Sequence, residues 1–239
     1  MPGKFERKVG VVTGSSRGIG LAIADALAQV GFDVVLTARN VSQLKPVAKR
    51  VGKHGTRVLA EPCDVRDPGS IRHLFAAVKR EFKRIDVLVN NAGYAWPLKD
   101  IAETSLELWR DNLDTNLTGT FLCTRAALPL MRRGSTIVNN LSVGAKGTFP
   151  QMAAYIASKH GVMGFTLTLR QELRPKGIRV IALMPGATDT DIWKQFWPDA
   201  PRSRMMSPES VASAVVNAVL LPQDATVEEL VIAPTSGAL

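Results

Sequence analysis

An α/β fold, with one parallel sheet and helices on both of its faces, is the class this sequence predicts. Short β-branched runs alternate with longer helix-compatible segments along the whole chain, a pattern that implies βαβ units. No linker, internal repeat or low-complexity tract interrupts the alternation, so it reads as one doubly wound domain over residues 1–239. A chain of 239 residues that is 46% hydrophobic and 21% charged can also form one large core without disulfide staples.

Buried strands are expected at Val9–Thr13, Val34–Ala38, Arg57–Glu61, Val87–Asn90, Thr136–Asn139 and Arg179–Leu183, with a seventh at Glu229–Ala233. Most of these runs are short, apolar in the middle and rich in valine or isoleucine, as a strand covered on both faces must be. Helix-compatible segments fall between them, at Ile19–Val30, Ser42–Val51, Gly69–Phe82, a long stretch Leu106–Met131, and Ala153–Arg174. A last helix runs near Pro208–Leu220. Proline at a first helical position loses no needed hydrogen bond, and Ser207 before it completes the start signal.

The balance of 30 basic to 21 acidic residues gives a formal charge of +9. The cations are scattered, and the densest stretch (Lys45, Lys49, Arg50, Lys53) is spaced as the solvated face of one helix. Aromatics make up 6% and are not interleaved with those cations, which argues against a nucleic-acid platform. Nothing approaches the roughly 20 apolar residues of a membrane span, and Met1–Gly10 lacks the apolar stretch of a secretory signal. Two cysteines, Cys63 and Cys123, make neither a disulfide framework nor a four-ligand zinc site and fit a cytoplasmic protein. His54, His73 and His160 are too far apart to suggest a metal.

Thr13-Gly14-Ser15-Ser16-Arg17-Gly18-Ile19-Gly20 follows the first strand and opens the first helix. Glycines there let a ligand approach the main chain, and the helix start offers unpaired N–H groups to a pyrophosphate. The spacing departs from G-x-G-x-x-G, because Gly14, Gly18 and Gly20 are four and two apart. The second strand ends at Ala38 without the acidic residue that commonly holds the ribose of NAD, and Arg39 follows. A guanidinium pairs with a phosphate through two parallel hydrogen bonds, so Arg39, with Arg17 as a second candidate, selects NADP(H).

Tyr155 and Lys159 lie four apart in a predicted helix, hence on one face. A nearby ammonium favours the phenolate and lowers the phenol's pKa toward acid/base duty. Ser142 stands just beyond the fifth strand, where its hydroxyl reaches a substrate oxygen. Asn116 sits inside a helical stretch that does not favour asparagine. No G-x-S-x-G elbow surrounds Ser142, which argues against a hydrolase.

These features together resemble the classical short-chain dehydrogenase/reductase family, with its Rossmann-type fold and T-G-x-x-x-G-x-G loop. The resemblance covers nearly the whole chain and is similar in look to 3-oxoacyl-carrier-protein reductases. It assigns a cofactor half to about residues 1–140 and catalytic and substrate elements to about 141–239. It implies that Asp64 and Val65 border the adenine and that Asn91, Ala92 and Gly93 line the cofactor groove. It also places Pro185, Gly186, Thr188 and Thr190 near the carboxamide. The catalytic set it implies is Asn116, Ser142, Tyr155 and Lys159. Tyr155 gives a proton to a carbonyl oxygen as hydride arrives, and Ser142 orients that oxygen. Lys159 lowers the phenol's pKa and bonds the nicotinamide ribose, and Asn116 holds a water on a proton path.

The irregular segment Thr188–Met206 is the expected substrate cover, with Trp193, Phe196 and Trp197, while Trp96, Pro97, Val143, Phe149 and Met152 form the opposite wall. That lining suits an apolar ketone, aldehyde or acyl thioester. Arg202 and Arg204 face either an acidic carrier protein or water. The alternatives are an NAD-dependent alcohol, polyol or steroid dehydrogenase and a dinucleotide sensor without chemistry. The resemblance further implies a homotetramer or homodimer built on the helices around Leu117–Met131 and Ala153–Arg174.

Overall fold

The computed structural model describes residues 7–95 and 98–239, without the side chains of Gln195 and Phe196. Seven strands form one sheet: β1 (Val9–Val12), β2 (Asp33–Ala38), β3 (Val58–Pro62), β4 (Ile85–Asn90), β5 (Met131–Asn140), β6 (Arg179–Pro185) and β7 (Glu229–Ile232). Their order is β3-β2-β1-β4-β5-β6-β7, and every pairing is parallel. The order reverses between β1 and β4, where open sheets of this kind leave a crevice at their carboxyl ends.

Alternation along the strands divides the core in two. Val12 of β1 and Val34 and Leu36 of β2 point to one layer, with Leu27, Val211 and Val215. Val11 and Val35 point to the other, with Leu74, Phe75, Leu169 and Leu173. The first layer is covered by α1 (Gly18–Gln29), α2 (Leu44–Val51) and α8 (Pro208–Val219), and the second by α3 (Pro68–Glu81), α5 (Gly119–Ala127) and α6 (Ala153–Leu173). Helix starts follow local chemistry. Asp67 accepts from Gly69 N and Ser70 N at 2.8 and 3.0 Å before Pro68 opens α3, and Ser207 accepts from Ser210 N before Pro208 opens α8.

The expected single helix over Leu106–Met131 is wrong in two places. It comprises α4 (Leu106–Asn112), a π-helical segment Leu113–Thr118, and α5, which stops at Ala127. Pro129, in the 3₁₀ turn Leu128–Leu130, has no N–H to continue the helix, and Met131 already belongs to β5. A buried polar ladder crosses the second layer just below the crevice. Asn90 Nδ2 donates to Thr124 Oγ1 and Asn139 Oδ1 at 2.9 and 2.8 Å, and Asn139 Nδ2 donates to Thr166 Oγ1 at 2.9 Å. It ties α5, β4, β5 and α6 together in one arrangement.

Candidate active site

The loop after β1 is shaped by contacts within the protein before any ligand is considered. Thr13 Oγ1 accepts from Asn91 N and Ala92 N, both at 2.9 Å, and donates to Val89 O. Asn91 Nδ2 donates to Thr13 O and Gly14 O at 2.9 and 3.1 Å. Asn91, expected to line the groove, therefore spends its amide holding the loop. Gly14 and Gly18 have φ of +65° and +56°, the left-handed region that favours glycine. Gly20 leaves no space for a side chain, because a Cβ would lie 2.5 Å from Gly14 O and against Asn91 Nδ2. Ser15, which sequence reasoning passed over, accepts from Thr37 N at 2.9 Å and joins the loop to β2. Ser16 and Ile19 are half-buried and Arg17 is exposed.

Arg17 gives α1 no side-chain cap, so the first-turn N–H groups of Gly18, Ile19 and Gly20 are available at the positive end of the helix. That donor set fits a pyrophosphate. Across the loop, a Cβ on exposed Gly93 would enter a space bounded by Asn116 Oδ1 at 3.6 Å and Lys159 Nζ at 4.0 Å. A ribose and nicotinamide fit a groove kept open in this way.

Beyond the end of β2, Arg39 is exposed. Arg66 grips the Asp64 carboxylate, with Nη2 to Oδ2 at 2.8 Å and a further bond to Asp111 at 3.2 Å. These bonds hold the Asp64 carboxyl below the usual range. Val65 is buried against Gly119, where a Cβ would come within 2.8 Å of it. Pro185 ends β6, Gly186 N donates to Ile232 O at 2.8 Å, and Thr188 Oγ1 donates to Gly186 O. Thr190 packs on Gly18, closing the groove at that point.

Helix α6 presents Tyr155 and Lys159 together, with Lys159 Nζ 5.5 Å from the phenol ring centroid. Lys159 is buried and donates to Asn140 O at 2.9 Å. Ser142 Oγ accepts from Gly144 N at 3.1 Å. Its hydroxyl neighbours the Tyr155 phenol and acts on it as a donor that favours the ionised form.

The expected lowering of the phenol's pKa by the ammonium is corrected. Burial pushes the Tyr155 phenol above its ordinary value, opposed by the Ser142 bond, and pulls Lys159 down to about 8. Desolvation is the leading cause for both groups.

Asn116 lies in the π segment and is buried. Its Oδ1 accepts from Tyr94 N at 2.8 Å, and its Nδ2 donates to Tyr94 O at 3.0 Å and Ser158 Oγ at 2.9 Å. Ser158 in turn donates to Tyr155 O at 2.7 Å. Both side-chain donors of Asn116 are thus engaged in fixing the loop after Gly93 to the helix that carries Tyr155. One extra residue in the turn, a feature concentrated at functional sites, lets the amide reach that far.

The segment after β6 is a loop stapled at its base, where Asp189 N donates to Met206 O at 2.9 Å and Met206 N to Ala187 O at 3.1 Å. Within it, α7 (Trp193–Phe196) holds Trp193, whose Nε1 donates to Thr188 O at 2.7 Å, and Trp197 lies 6.3 Å from it, centroid to centroid. Trp96 and Pro97, and the Phe196 side chain, lie outside the described residues, while Val143 and Met152 are half-buried and Phe149 is exposed. Arg202 and Arg204 do not stand free. Arg202 Nε donates to Asp189 Oδ1 at 2.5 Å, and Arg204 Nη2 donates to Ala238 O at 2.9 Å.

Fold and site define a nucleotide-binding α/β oxidoreductase. The chain belongs to the short chain dehydrogenase family, whose model matches residues 8–201. It is 36% identical over 198 residues to a 3beta-hydroxysteroid dehydrogenase of Mediterraneibacter gnavus, covering 82% of this chain and 72% of that one. It is 37% identical over 225 residues to the 3-oxoacyl-[acyl-carrier-protein] reductase of Aquifex aeolicus, covering 89% and 90%. Its fold matches an alcohol dehydrogenase from Thermococcus sibiricus, solved in complex with 5-hydroxy-NADP, at a TM-score of 0.91 and 31% identity over 97% of this chain and 98% of that one.

Proposed function

We propose that this chain transfers hydride between NADP(H) and a carbonyl or secondary alcohol carried by an apolar substrate. The observation that carries the reading is the meeting of Tyr155, Lys159 and Ser142 beside the groove that Gly93 keeps open. The cofactor, when bound, supplies or accepts the hydride. In the reductive direction Ser142 donates its hydrogen bond to the carbonyl oxygen and fixes it beside the phenol. Tyr155, held in its protonated form by burial, gives that oxygen its proton, so the alcohol forms and a phenolate remains. The Lys159 ammonium stabilises that phenolate and, from its place next to Gly93, hydrogen-bonds the ribose. Asn116 is a positioning residue that holds Tyr94 and the Tyr155 turn of α6.

Two groups support NADP(H) over NAD(H): Arg39 in the position where an acid would hold a ribose, and Arg17 at the helix start. The relatives' names (a steroid, an acyl thioester, an alcohol) share an oxygen on an otherwise apolar frame, which suits a cover carrying Trp193 and Trp197. A 3-oxoacyl thioester is the substrate we favour. Assembly into a homodimer or homotetramer through the outer faces of α5 and α6 is supported by exposed Phe121 and Leu167, and two buried thiols favour the cytoplasm. The experiment is a panel of ketones and acyl thioesters with NADPH, read at the nicotinamide absorbance band. Turnover is expected for apolar 3-oxo compounds and lost in Tyr155→Phe with NADPH binding retained; undiminished turnover in that variant would overturn the reading.

A further inference from the structure

The stapled loop 189–205 is held at one further place. Past β7, the chain runs over Gly186, where a Cβ would come within 3.2 Å of Pro234 Cδ, and then turns back toward the loop. Arg204 Nη2 donates to Ala238 O at 2.9 Å and to Ser236 O at 3.5 Å, and Ser236 Oγ donates to Arg204 O at 2.8 Å. Donors thus run in both directions between the loop and the C-terminal strap. All three bonds lie at one end of the cover. Arg202, in the same turn as Arg204, is tied across the base of the loop to Asp189, and Trp193 is hung from Thr188.

We propose that Arg204 is a positioning residue for the substrate. Together with the strap at 236–238, it sets where the Trp193–Trp197 cover rests over the carbonyl. The latch rests on the function proposed above. Its own hydrogen bonds reach neither the glycine loop nor Tyr155, so it acts first on substrate affinity, and on the cofactor only through Thr190, which packs on Gly18. A guanidinium is suited to this role because the two N–H groups of Nη2, fixed in one plane, reach both main-chain carbonyls. A lysine ammonium carries enough donors but on a shorter, freely rotating stem, and so restores the contact only in part.

The test compares the wild type with Arg204→Ala, Arg204→Lys, a chain ending at Thr235, and the Arg204→Ala form of that shortened chain. Losing two or three exposed hydrogen bonds raises KM for the carbonyl substrate about five- to tenfold. The KM for NADPH rises less than the carbonyl KM, the melting temperature stays near the wild-type value, and Arg204→Lys falls between. Because the Arg204 side chain acts only through the strap, adding Arg204→Ala to the shortened chain changes nothing further. Additive effects, or an unchanged carbonyl KM in an active enzyme, overturn the latch. Amide hydrogen exchange over residues 189–205 is measured on the same proteins without substrate, and faster exchange is expected in every variant except Arg204→Lys, where the gain is smaller. Equal exchange overturns the latch even if the wild type reduces no carbonyl, an outcome that would defeat the proposed function separately.

Discussion

Asn140 Nδ2 donates to Asn91 Oδ1 at 2.9 Å, while the main-chain carbonyl of Asn140 accepts the Lys159 ammonium. A single residue at the end of β5 therefore joins Asn91, which holds the glycine loop, to Lys159 on α6. Asn140→Ala removes the first link and keeps the second, since the carbonyl belongs to the backbone. The expected result is NADPH binding weakened about five- to tenfold, the worth of roughly one hydrogen bond. The pH dependence of turnover at saturating cofactor should stay where it is, and a shifted profile would mean that the side chain also tunes Lys159.

Arg39→Asp places a carboxylate where the 2′-phosphate is expected. Repulsion of that phosphate and new bonds to ribose hydroxyls should together move the ratio of kcat/KM for NADPH over NADH toward NADH by about 100-fold or more. Steady-state kinetics with both cofactors measure it, and an unaltered ratio would transfer the selecting role to Arg17.

Lys159 gives a prediction about stability as well as rate. Its folded pKa of about 8 lies below the value near 10.5 of a solvated lysine, so the unfolded chain binds the proton more tightly. Below about pH 8 the buried charge costs stability in full, and stability rises with pH between about 8 and 10.5 as the folded protein sheds the proton first. Lys159→Met should thus melt higher than the ligand-free wild type at pH 7, by on the order of 1–2 kcal/mol once the lost bond to Asn140 is offset, and the gap should close by about pH 10.5. Activity should be nearly abolished. In the wild type, carbonyl reduction should decline as pH rises through about 8 and the ammonium is lost. A melting temperature for Lys159→Met below wild type at pH 7 would count against the assignment.

Gly20→Ala adds one methyl group where Gly14 O and Asn91 Nδ2 already touch the backbone. Overpacking of this kind costs about 1–3 kcal/mol, equivalent to a fall of roughly 2–12 °C in melting temperature for a domain of this size. Cofactor affinity should fall with it, because the displaced neighbours are the loop itself. Differential scanning calorimetry with and without NADPH separates the two effects.

The sheet was legible because a parallel strand covered on both faces must be apolar throughout, and Val34–Ala38 and Val87–Asn90 leave no other reading. Their observed starts, Asp33 and Ile85, differ by one and two residues. The break in the long helix was signalled by Pro129, but the π segment was not, since one extra residue in a turn barely disturbs helical periodicity. Asn116, polar and buried in that segment, was the trace it left. Spacing singled out Tyr155 and Lys159, which share a face by geometry. It could not tell whether Asn91 points to a ligand or into the loop, or whether Arg204 meets water or the C-terminus, because both depend on segments far away in sequence. Nor could a count of charges foresee that desolvation would govern Tyr155 and Lys159.

The stitches that shape the glycine loop span great lengths of chain: Thr13 meets Val89, Asn91 and Ala92 at separations of 76 to 79 residues. A growing polypeptide has no such cradle until β4 and the turn after it have left the ribosome, however early β1 and α1 take shape. The chain up to β4 is therefore an incomplete receptor while it is being made, and a nucleotide that binds the cradle stabilises finished molecules over unfinished ones.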